Sequence, residues 1–198
     1  MFFFQPRLHF SCNQCGECCR EMDVPLSHLD LLQLAQAHPQ LSPHDYARLH
    51  RSHPMHPEAV LLNGDYYILF LQRRESDDAC VFLGEQGSCN NYPARPRACR
   101  SFPFDQTRNG LLRIMPDIDF LYQDFCDKDP VQKADLQAAK LHLSRSDQEF
   151  YRYHEVVERW NRMVDRKPAR QNLQAFLEFV LTLDGLSDKA PAPQPLIP

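Results

Sequence analysis

The chain has 198 residues, with 43% hydrophobic and 24% charged residues and a formal net charge of -4. That is the length of one domain with an ordinary globular composition, enough to bury a real core. The charge leaves no basic footprint for nucleic acid. Apolar runs such as Tyr66–Leu71 fall far below the roughly 18 residues of a membrane-spanning helix.

The N-terminal "MFFFQPRLHF" has no basic residue ahead of its apolar part, and the run stops at Gln5-Pro6. It is too short for a secretory h-region of about 7–15 residues, so the cytoplasm is the expected compartment. There the eight cysteines read as metal-binding or catalytic, because reducing conditions disfavour a disulfide framework. A bridge between the adjacent Cys18 and Cys19 would also close a strained ring.

The first cluster, "CNQCGECC", carries Cys12, Cys15, Cys18 and Cys19. Its C-x2-C-x2-C spacing sets three thiolates on one tight loop, as in loops that hold iron–sulfur clusters, and leaves a fourth ligand to come from elsewhere. Gly16 suits a turn whose backbone N–H groups face sulfur. Neighbouring side chains point apart, so Cys18 and Cys19 are not expected to share one small centre.

Two short helices are predicted next. In "VPLSHLDLLQLAQAHPQ", Ser27 and Asp30 form a capping-box variant ahead of a face of Leu29, Leu32 and Leu34, and Pro39 ends the pattern. "LSPHDYARLHRSH" repeats it with Ser42 as cap, Pro43 at the first helical position and Asp45 in the first turn. His50, His53 and His56 recur every third residue, but Pro54 and Pro57 break the register, so a solvated loop is favoured over a labile metal site.

The middle of the chain reads as hairpins. "AVLLNGDYYILFLQRR" turns at Asn63-Gly64, "CVFLGEQGSCNNY" at Gly84 and Gly87 with a cysteine on each side, and "FPFDQTRNGLLRIMP" at Asn109-Gly110. From Asp129 onward the pattern is helical. Asp129-Pro130 opens "VQKADLQAAKLHL". "SDQEFYRYHEVVERWNRMVD" carries Phe150, Val157, Trp160 and Val164 and closes at Pro168, and "LQAFLEFVLTL" stops at Gly185. Trp160 reads as core. The predicted architecture is one α+β domain over 1–186. It has a cysteine-rich, metal-centred region (10–126) with short hairpins, braced by short N-terminal helices and a helical segment (129–185), with a disordered Pro-rich tail (187–198).

The other cysteines are Cys80, Cys89, Cys99 and Cys126, so eight thiols allow two four-ligand sites or one site with spares. Buried free cysteine is the ordinary alternative for any of these four. Four-thiolate cages serve zinc and iron–sulfur clusters alike, so sequence leaves the metal open, with iron–sulfur favoured by the C-x2-C-x2-C run. Arg95, Arg97 and Arg100 would offset the negative charge of such a site, donate to sulfur, or hold an anionic substrate; surface ion pairing is the alternative.

The ordered set C-x2-C-G-x-C-C, then C-V-F-L, then G-x-C-x3-Y-x2-R-P-x2-C-R-x-F-P-F resembles the YkgJ-type cysteine-cluster family, described as zinc- or iron-chelating. The resemblance spans residues 10–126 and implies Cys12, Cys15, Cys18, Cys19, Cys80, Cys89 and Cys99 as cluster cysteines, with Cys126 fitting more loosely. Flagellin lysine N-methylases share a similar signature, which implies a protein-modifying or redox enzyme as one alternative. A zinc-stapled module binding a protein partner through the C-terminal helices is another. No phosphate loop, nucleophile elbow or H-E-x-x-H is present, and neither His142 nor His154 stands out as a partner for a nucleophilic cysteine.

Overall fold

A computed structural model describes residues 7–165 and 171–184. In chain order it forms β1 (His9–Ser11), α1 (Glu17–Glu21), α2 (His28–Ala37), α3 (Pro43–Tyr46), β2 (Ala47–Arg51), β3 (Val60–Leu62) and β4 (Asp65–Leu71). Then come α4 (Arg97–Ser101), β5 (Phe104–Gln106), β6 (Leu112–Ile114), α5 (Asp119–Phe125), β7 (Asp127–Pro130), α6 (Lys133–Val164) and α7 (Leu173–Asp184). Helices and small antiparallel sheets make an α+β fold, as the sequence predicts.

Local signals placed many elements. Ser27 caps α2, and the reciprocal bond from the Ser27 N–H to Asp30 completes the capping box. Ser42 and Asp45 do the same at α3. Asn63 and Gly64 both take positive φ, 51° and 86°, and turn β3 into β4. The hairpin of β5 and β6 turns at Gly110.

Three expectations are corrected. The stretch after Tyr46 does not continue α3. Residues Ala47–Arg51 pair with Leu71–Tyr67 to complete a sheet of order β2-β4-β3, so strand pairing overrides helical grammar. Asp129-Pro130 does not cap a helix. It ends β7, where Pro130 pairs with His9, and α6 begins at Lys133 behind Gln132. The two helical patterns after it fuse into one helix of 32 residues, because no Gly or Pro interrupts them. The predicted stops at Pro168 and Gly185, and the tail, lie outside the described residues.

β3 is an edge strand, and the helical segment covers that edge with side chains. Trp160 Nε1 donates to the Leu61 carbonyl (3.0 Å), Asn161 Oδ1 accepts from the Leu61 N–H (2.8 Å), and Asn161 Nδ2 donates to the Ala59 carbonyl (2.8 Å). The Trp160 ring also packs against Phe176 and Phe179, at 5.3 and 5.4 Å between centroids, so it is core as expected. The main core joins α2, the three-stranded sheet, α6 and α7, and a smaller one gathers around Phe10, Phe104, Leu112 and Ala139. Among the described residues no helix is long and apolar enough to cross a membrane.

Candidate metal centre

All eight cysteines line one cavity of about 120 Å³. It lies where the two cores meet, since Val24, Leu71 and Phe82 from one and Phe10, Phe104 and Ala139 from the other share its wall. All eight thiols are free.

Short backbone contacts bring distant parts of the chain to this cavity. Gly16 caps α1 at φ 80°, and a Cβ built on it would stand 2.6 Å from the Gly87 carbonyl oxygen and 2.7 Å from Leu83 Cδ1. Only glycine lets the first cysteine loop lie this close on the turn that carries Cys89. That turn is closed by a Leu83–Cys89 bridge and by bonds between Gly84 and Ser88 and between Gly87 and Gly84; where the sequence predicts a tight hairpin, the structure has a tight turn held by a single bridge. The Cys80 N–H donates to the Cys19 carbonyl at 2.8 Å. Arg73 donates to the carbonyls of Arg20 and Met22, which holds the end of α1 against the segment between β4 and Cys80.

Electrostatics divides the thiols into two groups. Cys19 is in hydrogen-bonding contact with Cys18, which raises its pKa, and with Cys80, which lowers it; with burial and neighbouring sulfurs the thiol is pushed up to about 12. Cys80 is raised by its bond with Cys19 and by burial. Burial raises Cys89 and holds Cys99 well above its ordinary value, and Cys99 also feels Cys19, Cys80 and Cys89. Cys126 is raised by burial and then by the charges of Cys15 and Cys12. The inner group is therefore Cys18, Cys19, Cys80, Cys89 and Cys99, and the outer group Cys12, Cys15 and Cys126.

The fold accounts for both. Cys18 and Cys19 lie on α1, where successive side chains are about 100° apart rather than opposed, so the expectation that they point away from one another is corrected. In the outer group the β1–β7 register pairs Ser11 with Asp127, which sets Cys12 beside Cys126, and Asn13 Nδ2 donates to the Phe125 carbonyl at 3.0 Å. The C-x2-C-x2-C trio is thus shared between the groups.

The arginines take different positions. Arg95 and Arg100 line the cavity, and Arg95 lowers the pKa of Cys89 from 3.7 Å above the Tyr92 ring. The Nε atoms of Arg95 and Arg100 are buried without a hydrogen-bond partner. Arg97 turns to α6, donating to the Ser146 carbonyl at 2.8 Å, while its backbone N–H donates to Asp30 Oδ1 at 2.7 Å.

Sequence reasoning missed several positioning residues. Asp30, seen as a cap, also pins the start of the helix bearing Cys99. Asn91 takes a hydrogen bond with His38 (2.9 Å) and donates to the Ala94 carbonyl, fixing the loop between Cys89 and Cys99. Arg73 lines the cavity as well. None of the three has a local sequence signal for this role, because each acts across long separations.

A model of a "Putative zinc- or iron-chelating domain", CxxCxxCC, matches residues 11–119, over half of the 198 residues. The chain belongs to the CxxCxxCC family. No curated protein and no solved structure matches it. The CxxCxxCC domain contains seven of the cavity's cysteines, and Cys126 reaches the same cavity from beyond the matched segment.

The residues present suit a cationic centre. Raised thiols in an apolar wall resist ionising until a metal offsets their charge, so binding would release protons. Buried arginine Nε atoms supply unused donors for an anionic thiolate assembly. Among the described residues no three His, Cys, Asp or Glu side chains form a ready-made ligand set, so the thiols share the cavity without converging on one point. His53 and His56 each accept a nearby backbone N–H, from Met55 and Glu58, and His50 packs on Phe70. His142 lies against the Arg97 carbonyl.

Proposed function

We propose that the protein is a cytoplasmic metal-binding protein that holds an iron–sulfur cluster through its clustered cysteines and serves in electron transfer or metal handling. The observation that carries this reading is the gathering of all eight thiols, from the N-terminal loop, α1, the 80–89 turn, α4 and the residue after α5, around one cavity. Its size supports a centre of several atoms, since about 120 Å³ well exceeds the ~10–15 Å³ that one water requires. The inner group, Cys18, Cys19, Cys80, Cys89 and Cys99, would supply the main ligands, and Cys12, Cys15 and Cys126 the remainder or a second centre. Such a cluster supplies one-electron chemistry, and Arg73, Arg95 and Arg100 would raise its potential by placing positive charge and N–H donors beside sulfur.

Anaerobic purification followed by iron, zinc and acid-labile sulfide analysis tests this. A brown protein with sulfide matching iron is expected. A colourless protein holding stoichiometric zinc and no sulfide, expressed with ample iron, would replace the cluster with zinc, the other metal that thiolate cages serve. Cys19→Ser and Cys99→Ser should lose more metal than Cys12→Ser or Cys126→Ser, and equal retention by all four variants would remove the cavity from metal binding.

A further inference from the structure

A second concavity, of about 440 Å³, opens between α2, α6 and α7, away from the cysteine cavity. Leu29 and Leu32 from α2, Val156 from α6, and Val180 and Leu183 from α7 give it an apolar floor. Arg152, Arg159 and Arg162 of α6 line it too, and their spacing sets them along one face of the helix over about 15 Å. Arg162 is paired with Glu158 at 2.5 Å. Arg152 and Arg159 have no carboxylate partner among the described residues, and Arg159 lies over the Phe179 ring at 5.9 Å. On a chain with net charge -4, this is a local concentration of unpaired cations. At the α2 end, His28 is only 7% exposed, and its Nδ1 has no hydrogen-bond partner.

We infer that this groove docks an acidic amphipathic helix of a partner protein. Apolar residues of that helix would lie on the leucine and valine floor, and carboxylates one or two turns apart would pair with Arg152 and Arg159. A small anion is the weaker fit, because the cations are strung along the groove instead of converging on one point. Glu155, between Arg152 and Arg159 on the same wall, would repel a carboxylate placed against it and so fix the register of the bound helix. Most of the wall lies beyond residues 11–119, so this partner would be particular to chains with these C-terminal helices. The inference does not depend on the metal.

Fluorescence anisotropy on the full chain tests it, with a labelled synthetic helix of leucine and glutamate about three turns long as probe. The same helix with lysine for each glutamate is the control. The acidic helix should bind, the basic one should not, and affinity should fall steeply with salt. Reversing both charges (Arg152→Glu with Arg159→Glu) should weaken binding by about tenfold or more, while Lys133→Glu, a single charge reversal at the exposed start of α6 and outside the groove, should leave it unchanged. The neutral pair Arg152→Gln with Arg159→Gln repeats the test should the reversal disturb folding. Metal content should be the same in every variant, so failure here is separate from failure of the metal reading. Equal binding of the basic helix, unchanged affinity in both double variants, or displacement of the acidic helix by citrate at matched ionic strength would overturn the proposal.

Discussion

Replacing Gly16 by alanine separates backbone conformation from close approach, because Gly64 provides a matched control. Both glycines sit in the left-handed region, at φ 80° and 86°. A side chain there costs about 1–2 kcal/mol. A Cβ on Gly64 meets nothing within 4 Å, so Gly64→Ala should show that cost alone. A Cβ on Gly16 would meet the Gly87 carbonyl oxygen at 2.6 Å, closer than real Cβ contacts allow, and one of the two backbones must move. Overpacking of this kind adds about 1–3 kcal/mol. The sum, about 2–5 kcal/mol, corresponds to a melting temperature lower by roughly 5–15 °C at this chain length, against a few degrees for Gly64→Ala. The movement also draws Cys15, Cys18 and Cys19 away from the turn bearing Cys89. Metal per chain should therefore fall in Gly16→Ala and hold in Gly64→Ala. Calorimetry with metal analysis measures both. Equal losses of stability in the two variants, with equal metal content, would refute the argument that this contact builds the site.

Removing metal by chelation, or by exposing a cluster to air, should lower the melting temperature and speed protease cutting between residues 80 and 126, because metal–sulfur bonds would join those short elements to the first loop; an unchanged transition after complete removal would count against it. Trp160→Phe should cost about 1–3 kcal/mol in urea unfolding, since it strips the Leu61 carbonyl of its buried donor. A variant as stable as the parent would show that the edge of β3 needs no such cover. Burial lowers the pKa of His28 to about 4, with Asp30 opposing and Arg152 reinforcing the shift, and the ring is stacked on Tyr153. Its folded value lies below the unfolded one, so the unfolded chain takes the proton first as pH falls. The stability it contributes is complete above pH 6.5 and is lost between 6.5 and about 4, on the order of 3 kcal/mol. His28→Gln should flatten that part of the stability–pH curve, and a slope identical to the parent's would assign the effect to other groups.

What the sequence determined by itself is whatever depends on neighbours along the chain. Ser27 with Asp30, Ser42 with Pro43 and Asp45, Asn63-Gly64 and Asn109-Gly110 each satisfy or turn the backbone within a few residues, so caps and turns were readable where they fell. The cysteine spacing likewise announced a thiol site. Only the tertiary structure decided how the thiols are grouped. Cys12 lies beside Cys126 because β1 pairs with β7 across more than a hundred residues, and Cys19 meets Cys80 because Arg73 and a backbone bond hold α1 against the segment that follows β4. The same long-range pairing turned Ala47–Arg51 into a strand and kept Asp127–Pro130 extended against local helical signals. Local grammar weighs about a kilocalorie per cap or turn residue, whereas a strand joining a sheet gains a ladder of bonds and a buried face at once, so where the two conflict the sheet prevails.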